Sequence, residues 1–124
     1  MTTDILKEID QKNDLHIAPY KSDGKTTGTP TWIWEVLVNG NLYVRAYNGK
    51  TSRWYQSALA QKAGIIKAAG KSFKVDFQAI VDPALLSKID EAYEYKYASS
   101  PYLYPMVSPR TKAATVLITL KEEI

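Results

Sequence analysis

The sequence predicts a mainly β, α+β chain: six antiparallel strands, in an order compatible with a small barrel, with flanking helices. Three observations carry this. Asn39-Gly40 sits between two apolar stretches and is the pair of residue types that best tolerates the positive φ of a type I′ hairpin turn. Phe73, Val75 and Phe77 alternate with Lys74, Asp76 and Gln78, the pattern of a half-buried strand. Residues 115–120 form a continuous β-branched and aliphatic run, which suits a central strand.

In chain order, Thr3 or Asp4 can cap a short first helix in which Ile5, Leu6 and Ile9 share a face that plugs one end of the core. Residues 15–20 read as a strand whose end or edge position is marked by Pro19. Residues 21–29, KSDGKTTGT, lack any apolar side chain and read as a mobile loop, either merely solvated or able to close over an anion.

With Asn39 and Gly40 as loop residues, the hairpin over residues 30–47 acquires a register. Val38 faces Asn41, Val36 faces Tyr43, Trp34 faces Arg45 and Trp32 faces Tyr47, all on one face. The other face carries Leu37 with Leu42, Glu35 with Val44, and Ile33 with Ala46. Both faces are apolar, so the second needs a cover: a helix of the same chain, a second subunit or a flat ligand.

Ser52 or Thr51 is placed to cap a helix running to about residue 63, ended by Gly64, with Tyr55, Ala58, Leu59 and Lys62 on one stripe. Strands at 65–69 and 72–79 then make a second hairpin through Gly70-Lys71. Asp82-Pro83 gives an N-cap followed by proline at the first helical position, and Leu85, Leu86, Ile89, Tyr93 and Tyr97 form a core stripe. Lys88, Asp90, Glu91, Glu94 and Lys96 read as that helix's solvated face. Residues 98–109 are irregular and apolar, suited to packing on the body, a lid or a dimer contact.

The totals narrow the chemistry. A length of 124 residues suits one domain, residues 1–124, and no apolar run approaches the roughly 20 residues of a membrane span. The acidic, amphipathic start lacks signal-peptide features, so the expected location is cytoplasmic, with no membrane partner. Absence of cysteine removes disulfides and thiolate chemistry, and a lone His16 removes histidine-rich metal sites and histidine-based triads; no metal is expected. His16 itself reads as an edge-strand side chain or a hydrogen-bonding partner of a ligand. The net charge of +3 is spread over the chain without a basic cluster, which argues against nucleic acid and is met equally by an anionic small molecule.

The chemistry-bearing stretch is residues 48–53. A helix N-terminus offers unpaired N–H groups and partial positive charge, and Lys50, Thr51, Ser52 and Arg53 add the donors a phosphate needs. The same residues also serve as plain caps and solubilising charges, and local chemistry leaves the two readings open.

The run VLVNGNLYVRAYNGKTSRWYQSALAQKAG resembles the split-barrel flavin proteins of the pyridoxamine 5′-phosphate oxidase type, in which a Tyr-Thr-Asn-like strand end is followed by Ser-Arg-Lys opening a helix. Tyr47, Asn48, Ser52 and Arg53 match, at slightly longer spacing. Pro30-x-Trp32, Gly40-x-Leu42-Tyr43-Val44 and Trp54-Tyr55 are similar to the deazaflavin-dependent nitroreductase branch. Together with LHIAP at 15–19 and PMVSP at 105–109, the whole chain looks like an uncharacterised bacterial domain family grouped with these folds.

The resemblance implies a six-stranded split barrel, a homodimer with FMN or a deazaflavin at the subunit interface, and the second hairpin face turned to the partner. Arg53, Ser52 and Lys50 would meet the cofactor phosphate, with Thr51, Asn48 and Tyr47 in the same cofactor-binding set; Trp32, Trp34, Tyr43 and Arg45 would lie near the ring or the partner. Two departures stand out: Trp54 replaces a basic residue, and residues 31–38 carry no Arg or Lys. The implied function is a flavin- or deazaflavin-binding oxidoreductase in which the cofactor carries the redox chemistry, Tyr43 and Glu35 being conceivable proton groups. The alternative is a non-catalytic dimeric small-ligand-binding module of the same fold.

Overall fold

A computed structural model describes residues 2–124, with side chains from Asp4 onward. Helix α1 (Thr2–Lys12) leads into β1 (His16–Pro19), β2 (Thr31–Trp32), β3 (Glu35–Val38) and β4 (Asn41–Arg45). A 3₁₀ turn at Gly49–Thr51 opens α2 (Arg53–Gln61); β5 (Ala63–Ala68), β6 (Lys71–Ala79), α3 (Pro83–Lys96), α4 (Leu103–Met106), α5 (Pro109–Lys112) and β7 (Thr115–Glu123) follow. Thr3 and Asp4 therefore lie inside the first turn of α1 rather than before it.

The strands form one antiparallel sheet in the order β2-β1-β5-β6-β7-β4-β3, with β7 an inner strand between β6 and β4, in keeping with its apolar run. There are seven strands, not six, because the predicted strand through residues 30–38 breaks at Ile33-Trp34. Its first piece pairs with β1, His16 opposite Trp32, and its second pairs with β4. The sheet's two outermost strands are thus consecutive pieces of one segment, and the sheet curls into a barrel.

Near the Asn39-Gly40 turn the expected register is observed: Val38 opposite Asn41, Val36 opposite Tyr43, Leu37 opposite Leu42 and Glu35 opposite Val44. Both turn residues have positive φ, 53° and 80°. The expected pairs Trp34 with Arg45, Ile33 with Ala46 and Trp32 with Tyr47 do not form. Ile33 N–H instead donates to the Leu15 carbonyl and Ala46 N–H to that of Ala114. Neighbouring strands outcompete the hairpin beyond Glu35.

The barrel interior is filled by Leu15, Ile17, Leu42, Val44, Ile66, Phe73, Val75, Phe77, Val116 and Ile118, with Leu6 and Ile9 of α1 and Tyr55 and Ala58 of α2 packed into the same core. The second hairpin face is covered from within the chain: Val36, Val38 and Tyr43 pack on Ile89 and Tyr93 of α3, Tyr97 just past its end, and Met106 of α4. That cover occupies the place which the family resemblance would give to a second subunit.

Helix α3 begins as its sequence dictates, the Asp82 carboxylate accepting the Leu85 N–H at 3.1 Å ahead of Pro83. Two residues assigned to its solvated face turn inward. Asp90 meets Arg45 and, at 2.7 Å, Lys112; Lys96 Nζ meets Asp10 at 2.8 Å and Glu35 Oε1 at 2.5 Å. Helix α2 ends at Lys62, which takes left-handed backbone (φ 60°), not at Gly64. Gly64 lies in β5, where a β-carbon would come within 2.6 Å of Pro19 Cα and 2.7 Å of the Ala18 carbonyl. Its absent side chain lets β1 and β5 close on each other. The turn between β5 and β6 is Ala69-Gly70, one residue earlier than expected, both with positive φ.

Arg45 is wholly buried and almost fully paired. Its Nε donates to Thr115 Oγ1 (3.0 Å), Nη1 to Asp90 and the Met106 carbonyl (3.1 Å), and Nη2 to the Leu86 carbonyl (3.1 Å), while the guanidinium lies 5.4 Å above the Tyr93 ring. Glu35 is equally buried, with Oε2 lacking a hydrogen-bond partner. Desolvation pushes its carboxyl up to about 7, against the opposing pull of Lys96.

Two outcomes follow. Arg45→Ala leaves Asp90 half-buried beside only Lys112 and lowers unfolding free energy by about 3–5 kcal/mol, the scale for breaking a buried pair, measured by urea denaturation. Glu35, with a raised folded-state value, binds its proton more tightly in the native state, so its contribution is complete below about pH 4.5 and falls as pH rises through about 7. Glu35→Gln flattens that part of the stability profile, as read by thermal melts at closely spaced pH values; an unchanged slope contradicts it.

Candidate ligand cleft

At the open side of the barrel lies a cleft of about 710 Å³, lined by Thr31, Trp32, Ile33, Trp34, Arg45, Tyr47, Asn48, Ser52, Arg53, Trp54, Tyr102 and Met106. Its volume falls in the range of small-molecule sites, and its walls combine large aromatics with a few polar groups. Seven of the ten residues expected near the cofactor come together here, Trp32, Trp34, Arg45, Tyr47, Asn48, Ser52 and Arg53, while Tyr43 is buried against α3 instead. Lys50 and Thr51 do not line it. The Thr51 hydroxyl donates to the Asn48 carbonyl at 3.0 Å, and Lys50 is exposed on the 3₁₀ turn.

The break at Ile33-Trp34 shapes the aromatic wall. Trp32 follows β1, half exposed, with its indole N–H donating to the Asn13 carbonyl at 3.2 Å. Trp34 turns back over α3 and stacks on Tyr97, ring centroids 4.0 Å apart and planes within 5°. Tyr93 fixes the backbone at this point by donating its hydroxyl to the Trp34 carbonyl at 3.0 Å. Burial pushes the Tyr93 and Tyr97 hydroxyls well above the ordinary phenol range, so both stay neutral donors.

The polar end is built by the β4-to-α2 connection. Gly49 N–H donates to Ala46 and Ser52 N–H to Gly49, closing the turn that delivers Ser52 as the residue before α2. Ser52 occupies the expected N-cap position in extended conformation (φ −61°, ψ 132°), yet its side chain makes no capping hydrogen bond. Its hydroxyl and the first N–H groups of α2 are therefore available toward the cleft, next to Arg53, and the first turn holds no acid. Arg45 differs: it contributes to the floor, but its donors serve the fold.

Sequence reasoning missed Thr31, Ile33, Trp54, Tyr102 and Met106 as lining residues. Trp54 follows Arg53 directly in the first turn of α2, and that adjacency was the available signal. Tyr102 and Met106 come from residues 98–109, which hold the helical turn α4 and lead into α5 rather than forming one loop, Ser108 Oγ accepting the Thr111 N–H at 3.5 Å ahead of Pro109. Nothing local ties that stretch to the cleft. Glu35 is not among the lining residues, nor is His16, whose Nδ1 lies 2.9 Å from the Asp14 carbonyl. In the 21–29 loop, Asp23 accepts hydrogen bonds from Lys25 and Thr26, and no residue of the loop lines the cleft. Among the described residues no helix is long and apolar enough to cross a membrane.

Three solved structures share the fold. The conserved hypothetical protein Rv2991 from Mycobacterium tuberculosis is 14% identical, with a TM-score of 0.68 over 97% of this chain and 78% of that one. Campylobacter jejuni ChuZ is 11% identical, with a TM-score of 0.70 over 95% of this chain and 51% of its own. A putative pyridoxamine 5′-phosphate oxidase from Listeria innocua is 11% identical, with a TM-score of 0.65 over 97% and 91%. At these identities the likeness establishes the fold, an antiparallel split barrel with flanking helices. No curated protein sequence matches the chain. The model of an uncharacterized protein family conserved in bacteria, DUF2255, matches residues 5–118, and the chain belongs to that family.

Proposed function

We propose that the cleft binds a flat, phosphate-bearing redox cofactor, FMN or a deazaflavin, in a homodimeric, cytoplasmic oxidoreductase built on this single domain. The observation that carries the reading is the meeting, in one cleft, of an aromatic wall with an uncapped helix N-terminus bearing Ser52 and Arg53. Trp32, Trp34, Tyr47 and Trp54 offer faces for a planar ring, and the indoles exclude water from it. Ser52, Arg53 and the α2 N–H groups suit an anionic tail, with Lys50 and Thr51 on the same turn and Asn48 beside them.

A ring of this class supplies hydride or electron transfer when bound, so the protein's part is binding and orientation. Arg45 holds α3 against the floor of the cleft, and Tyr93 of that helix fixes the Trp34 backbone through its hydroxyl, which keeps the Trp34 ring plane in place. The exposed aromatics beside the cleft, Trp32, Tyr47 and Tyr102, suit contact with a second subunit closing over the ligand.

A second reading has its own support. Residues 31–38 supply no cation, Trp54 stands after Arg53, and Arg45 is committed to Asp90. A non-catalytic dimeric module binding a less charged flat ligand accords with those features.

Titration of the purified protein with FMN and with a deazaflavin, followed by ligand absorbance and fluorescence, separates the two. Micromolar binding of either supports the cofactor reading; no binding of either at high micromolar concentration rejects it. Arg53→Ala weakens FMN by about tenfold or more, the scale of one charge-assisted contact, without lowering the thermal midpoint. Equal affinity of the two proteins removes Arg53 from the site.

A further inference from the structure

The connection at 48–53 is met from outside by Arg110 of α5. A β-carbon added to Gly49 would fall 2.5 Å from Arg110 Cγ and 3.4 Å from its Cδ, so the arginine stem lies directly on the glycine. Its guanidinium carbon sits 5.6 Å from the centre of the Tyr47 ring, and Tyr47 is a wall of the cleft. Gly49 itself has a φ of 72°, open to glycine at little cost, and a side chain there would expel the arginine. An exposed Arg110 is thus seated by two contacts, an aromatic face and a missing β-carbon, rather than left to solvent.

The charge around it is unbalanced. Residues 36–75 and 95–121 contain no Asp or Glu, and these are the two segments that meet here. Among the described residues Arg110, Arg53 and Lys50 form no ion pair, while the nearby Lys112 is paired with Asp90. Cations gathered without a counter-charge repel one another, and an anion drawn among them relieves that repulsion. The seat on Tyr47 orients the planar fork that grips phosphate oxygens in pairs.

We infer that Arg110, which stands outside the cleft lining against its Tyr47 wall, is a phosphate-binding residue at the cleft's edge, reaching a phosphate monoester group from α5 and supplying a cation that strand 31–38 lacks. The identity of the group's carrier rests on the flavin-class reading above; the anion site itself does not.

The test uses the full chain and an Arg110→Gln variant, which keeps the stem on Gly49 and removes the charge. Backbone amides of residues 49–53, followed by NMR, shift on titration with inorganic phosphate in the parent protein and stay still in the variant. FMN affinity falls about tenfold or more in the variant while riboflavin affinity is unchanged, since riboflavin lacks the phosphate. Thermal midpoints of the two proteins agree, which separates a lost ligand contact from a lost fold. Arg110-dependent phosphate shifts without FMN binding keep the assignment and reject the flavin-class reading. FMN binding with the same FMN-to-riboflavin ratio in both proteins does the reverse, and absence of both phosphate shifts and flavin binding rejects both.

Discussion

The buried guanidinium of Arg45 is the point on which the arrangement depends. It leaves β4 and meets Thr115 on β7, Asp90 and the Leu86 carbonyl on α3, and the Met106 carbonyl on α4. Taking such a charge out of water costs several kcal/mol unless nearly every donor finds an acceptor. Here the acceptors come from three separate elements, so the requirement to satisfy one side chain fixes the positions of all three. Asp90 extends the constraint by holding Lys112, and Thr115 completes it by donating to the Lys112 carbonyl at 2.8 Å.

From that anchoring the cleft acquires its form. Helix α3, held at Asp90 by Arg45 and near its end by the Lys96 contacts to Glu35 and Asp10, presents Tyr93 and Tyr97 to the bend at Trp34. The Trp34 ring then has protein on one side and the cleft on the other. The cations divide between two tasks: Arg45, Lys96 and Lys112 neutralise inward carboxylates, whereas Lys50, Arg53 and Arg110 form no ion pair among the described residues around the connection that opens α2. That division follows from where the acids are, since neither segment forming the connection contains one.

Features governed by neighbours in sequence were legible. The Asn39-Gly40 turn, the alternation of Phe73, Val75 and Phe77, the Asp82-Pro83 helix start and the grouping of Ser52 and Arg53 each rest on a local rule, and each is observed. Features decided by distant partners were not. Trp34 opposite Arg45 is the natural extension of the hairpin, and only competition from β1 breaks it. Asp90 and Lys96 occupy solvent-facing positions by helical periodicity, and only buried opposite charges on other elements draw them inward. Gly64 reads as a helix stop because glycine usually is one, whereas here it marks the near-contact of two backbones. The aromatic wall was visible as residue types; Trp54 was signalled by its adjacency to Arg53, whereas Tyr102 and Met106 needed the packing of α4 to bring them in.

The break at Ile33-Trp34 reaches beyond the cleft. Because β2 and β3 are held at opposite ends of the sheet order yet joined by two residues, the segment acts as a clasp across the seam of the barrel. Displacing either piece from its neighbour loads the other through that short link. Closure of the barrel seam and placement of Trp34 at the ligand cleft are then one property of residues 31–38.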